Sequence, residues 1–312
     1  MQQPVINQQP GYNPQGMNPV QQFEMHQQQH QQAITTQPGV FVQPAPGSVW
    51  MPMPPAIQGV PTGLEYLTYL DTIMVHQIKE LIEIVTDWET KNKYVLKNAN
   101  GEQCYYAFEE SGCCERQCCG PQRGFVMHIV DNFKRAYQAK IDPHALKFQI
   151  FQEVLTIKRE FKCCGGGCCG CLACIGCCQQ ECIIETPSMG VLGIIRQRCG
   201  CMSSNYDIMD GDGNVIFQID GPCCCMLCGC QDKEFPIKTA NNGTVVGAIT
   251  KKWGGCFREA FTDADTFAVN FPGDLDVKLK GVLIGATFLI DFMEFEQQSQ
   301  NRNNGGAYYS SS

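Results

Sequence analysis

NKYVLKNANGEQCYYAF, residues 92–108, and NYDIMDGDGNVIFQI, residues 205–219, carry the same pattern twice. In each, two apolar runs rich in β-branched and aromatic residues flank a turn pair, Asn100-Gly101 or Asp212-Gly213. This predicts a β-hairpin, because such turns need φ > 0 and Gly and Asn reach it with least strain. Tyr94 precedes Gly101 by seven residues, and Tyr206 precedes Gly213 by seven. Each hairpin then runs into a glycine and a cysteine block, SGCCERQCC (111–119) or DGPCCCMLCGC (220–230). Each block leads to a strand opening on phenylalanine, Phe125 (FVMHIV) or Phe235 (FPIKTA). The offset of about 110 residues throughout is an internal duplication.

Outward from these hairpins, ECIIETPSMGVLGIIRQ (181–197) and KEFPIKTANNGTVVGAITKK (233–252) repeat the order of cysteines, strand, glycine turn and strand. Many short strands at such spacing predict a sandwich or a barrel. Two duplicated half-sheets that close on each other leave no exposed edge, so a closed antiparallel β-barrel is expected. GVLIGATFLIDFMEF (281–295) is the most hydrophobic stretch. It is shorter than the ~20 residues of a spanning helix and holds Asp291 and Glu294. A buried hydrophobic helix at the centre of the barrel is the expectation, and a membrane-spanning helix the alternative. Gly281 and Gly285, four apart, would make one helix face smooth. The stretch at 64–88 is open in type. Leu67, Leu70, Met74, Ile78, Leu81 and Val85 recur at helical spacing, but IMVH and LIEIV also suit buried strands.

Residues 1–62 are rich in Pro and Gln, with Glu24 the one charged side chain before position 60. They are expected to be a disordered tail with too little apolar surface to offset the entropy of ordering. Its PxxP step, Pro52 to Pro55, suits an SH3 or WW module. The folded domain is expected at 63–296, with a flexible polar tail at 297–312. A formal charge of −8 counts against nucleic-acid binding driven by global electrostatics. The N-terminus lacks the basic and apolar regions of a secretory signal, so a reducing compartment is expected, where structural disulfides are rare. The 22 cysteines then need another reason.

Eight of them, Cys163, Cys164, Cys168, Cys169, Cys171, Cys174, Cys177 and Cys178, sit in CCGGGCCGCLACIGCC (163–178). Zinc wants four ligands in C-x₂₋₄-C pairs. Cys171, Cys174 and Cys177 step correctly, as do Cys225 and Cys228, but no histidine lies nearby and the thiols exceed one tetrahedral site. Disulfides run against the compartment. S-acylation needs accessible thiols beside membrane-compatible residues, which CLACIGCC supplies. Two or more acyl chains anchor stably, at ~0.8 kcal/mol per buried CH₂. S-acylation of this segment is the favoured reading.

Two further candidates lie toward the C-terminus. In FTDADTFAVNFPGDLDVKLK (261–280), Asp263, Asp265 and Asp274 occupy places 1, 3 and 12 of a twelve-residue calcium loop. Phe267 at place 5 and Ala268 at place 6 break that pattern. The competing reading is two carboxylate groups flanking a strand, with weak Ca²⁺ affinity in either case. ITKKWGGCFREAF (249–261) sets Lys251, Lys252 and Arg258 beside Trp253 for an anionic lipid headgroup or nucleic acid, or simply as a solvated rim. The five histidines are scattered and no nucleophile–base pairing or phosphate loop is present, so the chain does not read as an enzyme.

GLEYLTYLD (63–71), ETKNKYVLKNANG (89–101), CCERQCCGP (113–121), REAFTDADTFAVNFPGDLDVKLKGV (258–282) and IGATFLIDFMEFE (284–296) together closely resemble the phospholipid scramblase family, which shares the tubby-like fold. The resemblance spans about 63–296 and implies a closed twelve-stranded barrel around a central C-terminal helix. It implies Ca²⁺-stimulated, ATP-independent, bidirectional movement of membrane phospholipids between leaflets, from the cytoplasmic face of the plasma membrane. It also implies palmitoylation of the cysteine-rich segment. A calcium site is implied at Asp263, Asp265, Phe267, Val269, Phe271 and Asp274. Residues 133–151 read as an insertion, and the cysteine segment is longer and richer in glycine than the family's. The runner-up is a palmitoylated, phosphoinositide-binding adaptor or transcription regulator that also enters the nucleus, as tubby-like relatives can. A zinc-dependent DNA-binding module is a third class.

Overall fold

The computed structural model describes residues 49–78, 92–131, 152–162, 173–200, 203–223, 231–254 and 265–296. The described strands are β1 (Thr72–Ile78), β2 (Lys93–Lys97), β3 (Gln103–Glu110), β4 (Phe125–Asp131), β5 (Gln152–Arg159) and β6 (Glu181–Thr186) in the first half. The second half holds β7 (Gly190–Arg198), β8 (Ser203–Asp210), β9 (Val215–Cys223), β10 (Lys233–Thr239), β11 (Val245–Lys251) and β12 (Thr266–Asn270). Every strand pairs antiparallel with the next, and β12 returns to β1 with Thr72 opposite Asn270. The result is the closed antiparallel barrel expected from the duplication. The described α-helices are α1 (Glu65–Thr68), α2 (Cys113–Cys119), which runs into a 3-10 turn at Gly120–Gln122, and α3 (Val277–Ile290), which runs on into a wider π-helical turn, Asp291–Phe295.

The duplication is visible bond by bond. In the first hairpin, the Asn98 side-chain oxygen accepts from the N–H groups of Asn100 and Glu102 at 3.0 and 2.9 Å. In the second, Asp210 accepts from Asp212 and Asn214 at 3.0 and 2.9 Å. Gly101 and Gly213 take φ of 83° and 86°, the left-handed conformation the turn pair predicted. The strands that carry these hairpins, β2 and β8, lie six apart in the closed sheet.

α3 is apolar on all sides, the pattern of a helix enclosed by protein. Its residues from Lys280 onward are buried, as is the whole π-helical turn. Side chains from strands around the barrel reach it: Tyr94 of β2 packs on Phe288, Phe125 of β4 on Phe292, and Phe235 of β10 on Phe295. The buried-helix expectation therefore holds, and no helix among the described residues is long and apolar enough to cross a membrane. Gly285 supplies the smooth face: a Cβ there would come within 2.8 Å of Ile184 Cγ1. Gly281 is looser, with its nearest neighbour, Leu155 Cδ1, 3.5 Å from a built Cβ.

Two stretches differ from the simplest sequence reading. The open segment at 64–88 begins as one helical turn, α1, followed by strand β1, and residues 79–91 lie outside the described part. Part of the stretch assigned to the tail also packs on the barrel. Gln103 N donates to Val49 O (2.7 Å) and Met51 N donates to Gln103 O (2.8 Å), while Tyr105 donates to Gly63 O (2.9 Å). Apolar residues Met51, Val60 and Leu64 contact the core, so prolines at 52, 54 and 55 suit an extended strap as well as a disordered tail.

Candidate functional site

Strict antiparallel alternation sorts the connections into two rims. β3, β5, β7, β9 and β11 all end at one rim, and the connections that follow them hold four, eight, two, five and one cysteines, counting Cys223 at the end of β9. The remaining two of the 22, Cys104 and Cys182, point into the core, where burial pushes each thiol up to about 12. No cysteine falls in a connection at the other rim. The first rim is called the thiol rim below, and its opposite the turn rim.

Of the favoured acylation segment, Cys163, Cys164, Cys168, Cys169 and Cys171 lie outside the described residues. Cys177 is exposed. Cys174 forms a disulfide with Cys199, which ties the β5–β6 connection to the β7–β8 connection. Cys178 is disulfide-bonded as well. This differs from the expectation of free thiols, because two loops that leave one rim side by side bring their cysteines within bonding reach. Acylation at Cys174 or at Cys178 needs that residue's own disulfide reduced first. Among the described residues, no group of three or more His, Cys, Asp and Glu is placed to hold a metal ion.

The C-terminal end of α3 opens at the thiol rim into a buried polar cluster. Arg123 donates to both carboxylate oxygens of Glu109, at 2.7 and 2.8 Å, and to Glu296 Oε1 at 2.8 Å, with its guanidinium 4.6 Å from the Phe292 ring centre. Burial pushes the Glu109 carboxyl up, but the Arg123 bonds and charge, with Ser111 and the Asn92 N–H, hold it below the usual range. Arg159 donates to Gln180 Oε1 and to Met293 Sδ. Tyr94 donates to Asp291 at 2.7 Å. Its duplicate, Tyr206, donates to Glu294 at 3.4 Å. Burial raises both carboxyls, Asp291 far more, with Asp265 adding to the rise and Lys251 opposing it. Such burial favours the neutral form of a carboxyl.

The calcium segment is drawn out straight. Thr266–Asn270 is strand β12, with Phe267, Val269 and Phe271 buried in the core and no side-chain oxygen among them. Asp265 sits at the thiol rim, 2.7 Å from Lys251 Nζ, and Asp274 is exposed at the turn rim. At about 3.4 Å per residue, the five strand residues alone hold them roughly 17 Å apart. The described donors do not fit a single twelve-residue calcium loop; they follow the competing arrangement of carboxylates flanking a strand. Asp263 is outside the described residues.

Nor do the described cations gather. Lys251 turns inward, 4.0 Å from the Phe295 ring centre, whereas Lys252 is exposed and pairs with Asp232 at 2.9 Å. Neighbouring residues of a strand face opposite ways, so Lys251 and Lys252 cannot share one face. Arg258 is outside the described residues.

Sequence reasoning passed over Arg123, Arg159, Glu109, Tyr94, Tyr206 and Lys280 as site residues. The signal was partly there: Asp291 and Glu294 interrupt the apolar run, and the two tyrosines mark the duplication. Lys280 gave none. It is fully buried, and its ammonium donates to the carbonyl oxygens of Leu67, Leu70 and Gly273 at 2.7–2.9 Å, closing the helix at the turn rim.

The family model described as scramblase matches residues 51–139 and 145–297. The gap between the two matched parts falls inside the stretch read as an insertion. The chain is 40% identical over 264 residues to human phospholipid scramblase 1, covering 85% of this chain and 75% of that protein. It is 40% identical over 269 residues to bovine phospholipid scramblase 2, covering 86% and 81%. With human phospholipid scramblase family member 5 it shares 37% identity over 238 residues, covering 76% and 78%. No solved structure matches the chain.

Proposed function

Because this chain belongs to the scramblase family, we propose that it moves phospholipids between the leaflets of a membrane, in both directions and without ATP, while anchored by acylated cysteines at the cytoplasmic face of the plasma membrane. The observation that carries this is the family match across the whole barrel. Moving a headgroup between leaflets breaks no covalent bond.

The geometry bears on the route. α3 is clasped at the turn rim by Lys280 and at the thiol rim by Arg123–Glu296 and Arg159–Met293. Extruding it into lipid would strand these charges, each at a cost of several kcal/mol. A path that leaves the barrel closed is favoured, in which the anchored thiol rim thins or distorts the bilayer beneath it. Ca²⁺ stimulation is part of the proposal without assignment of the ion to β12.

The test is leaflet exchange. The full chain is reconstituted into liposomes labelled in one leaflet and exchange is followed with and without Ca²⁺. Faster exchange than in empty vesicles is expected. Exchange no faster, at equal protein density, refutes transport and leaves the lipid-tethered adaptor, a reading that the fully enclosed helix also suits.

A further inference from the structure

We propose that Cys114 and Cys118 form a second lipid-modification site, carrying thioester-linked acyl chains in addition to those on the 163–178 segment, so that the barrel stands on a bilayer by its thiol rim with its turn rim in water. The inference rests on the reading of this chain as a membrane-anchored protein and goes beyond it to a site and an orientation.

The first observation is the exposure of these thiols. Free cysteine is among the most buried residue types, and an exposed thiol is ordinarily a liability. Cys114 and Cys118 are nevertheless exposed on α2. They lie four residues apart on one face, while Arg116 between them turns inward and donates to Ser111 O at 2.7 Å. Two chains attached there leave the helix on the same side. Two chains anchor stably where one holds marginally.

The second observation is the partition of the whole chain. Twenty of 22 cysteines fall in connections that leave strand ends at one rim, counting Cys223 at the end of β9, although these connections are far apart in sequence, and the Cys174–Cys199 disulfide links two of them. The connections between strand ends at the turn rim hold no cysteine. Charge does not separate the rims: Asp71, Glu102, Asp212, Asp274 and Asp276 lie in turn-rim connections, but the β4–β5 connection, 132–151, brings Lys134, Arg135, Lys140 and Lys147. Exposed apolar side chains do not distinguish the rims, since Phe161 and Ile175 at one are matched by Tyr69 and Val245 at the other. Thiols do.

The modification takes an acyl thioester as donor. The sulfur of Cys114 or Cys118 attacks the thioester carbonyl; a new carbon–sulfur bond forms, the donor's breaks, and the donor leaves as a thiol with the proton the cysteine gives up. No oxidant or reductant enters.

The test uses the full chain expressed in cells that acylate proteins. Free thiols are blocked, thioesters are cleaved with hydroxylamine, and the thiols released are tagged and located by mass spectrometry. Tags on Cys114 and Cys118 as well as within 163–178 are expected. In the same membranes, Asn242→Cys on the turn rim should react with an aqueous maleimide at the rate seen for detergent-solubilised protein. Tags confined to 163–178, or absent, overturn the site; a several-fold slowing at position 242 overturns the orientation. Lipid transport is not part of either readout. A chain tagged at both segments that fails to move lipid refutes only the transport proposal, and one that moves lipid with tags confined to 163–178 refutes only this one.

Discussion

Replacing Arg123 by methionine isolates what the buried cluster at the thiol rim contributes to holding helix α3 in place. Methionine keeps much of the side chain's packing against Phe292 but removes the donors to Glu109, Glu296 and the Gly120 carbonyl. The side chains of Arg123 and Glu109 are 1% and 0% exposed, so the carboxylate left behind has no access to water. Removing one partner of such a pair costs about 3–5 kcal/mol, and we expect a loss of that size at neutral pH. The sign with pH follows from Glu109. In the wild type its carboxyl is held below its ordinary value, so its contribution is present above the unfolded value of 4.5 and is lost as pH falls through the lower folded one. Without Arg123, burial, the largest influence on that carboxyl, is opposed only by the Ser111 and Asn92 bonds and raises it, so protonation relieves the strain and the gap between variant and wild type narrows in acid. The double variant Glu109→Gln with Arg123→Met should recover much of the loss. Equilibrium urea denaturation, followed by circular dichroism at several pH values, measures all three. A loss below about 1 kcal/mol, the scale of exposed pairs, or a double variant no better than the single one, would refute the reasoning.

Three further outcomes follow from the same contacts. Gly281→Ala should be neutral or stabilising by up to about 1 kcal/mol through helix propensity, since its Cβ meets Leu155 at an ordinary 3.5 Å; Gly285→Ala should lose about 1–3 kcal/mol by overpacking against Ile184 at 2.8 Å, and equal thermal midpoints for the two would sink the close-approach account. Asp291, whose folded carboxyl is raised, adds stability only in acid and withdraws it as pH rises above the unfolded value of 3.8; Asp291→Asn should flatten that decline, and parallel stability–pH curves for the two proteins would show the carboxyl to be ionised. On the outer wall, His128 bridges Glu153 and Glu110, and its raised value means a contribution present below 6.5 and lost as pH rises through the folded one; His128→Gln should remove that pH-dependent part in the same titration, leaving stability nearly unchanged only above the folded value.

The strands, their turns and the closure of the sheet were legible in the chain, because hairpin chemistry is local. Asn100-Gly101 and Asp212-Gly213 need no distant partner to announce a turn, and repetition of the whole pattern implies two halves that can close on each other. The central helix was legible in part: fifteen apolar-rich residues interrupted by Asp291 and Glu294 are short and polar for a bilayer span, which favours enclosure over the spanning alternative. What the tertiary structure alone decided is which side chains meet. Arg123, Arg159 and Lys280 are ordinary cations in a sequence; only the barrel brings each to the carboxylates, sulfur or carbonyls that make its burial tolerable. The spacing of Asp263, Asp265 and Asp274 suits a loop around an ion until the strand between them is extended, whereupon pairing with β1 and β11 holds Asp265 and Asp274 at opposite rims. The cysteines are the clearest instance. Their number and clustering are sequence facts, but their gathering at one rim follows from antiparallel alternation, which sends every second connection to the same end of the barrel.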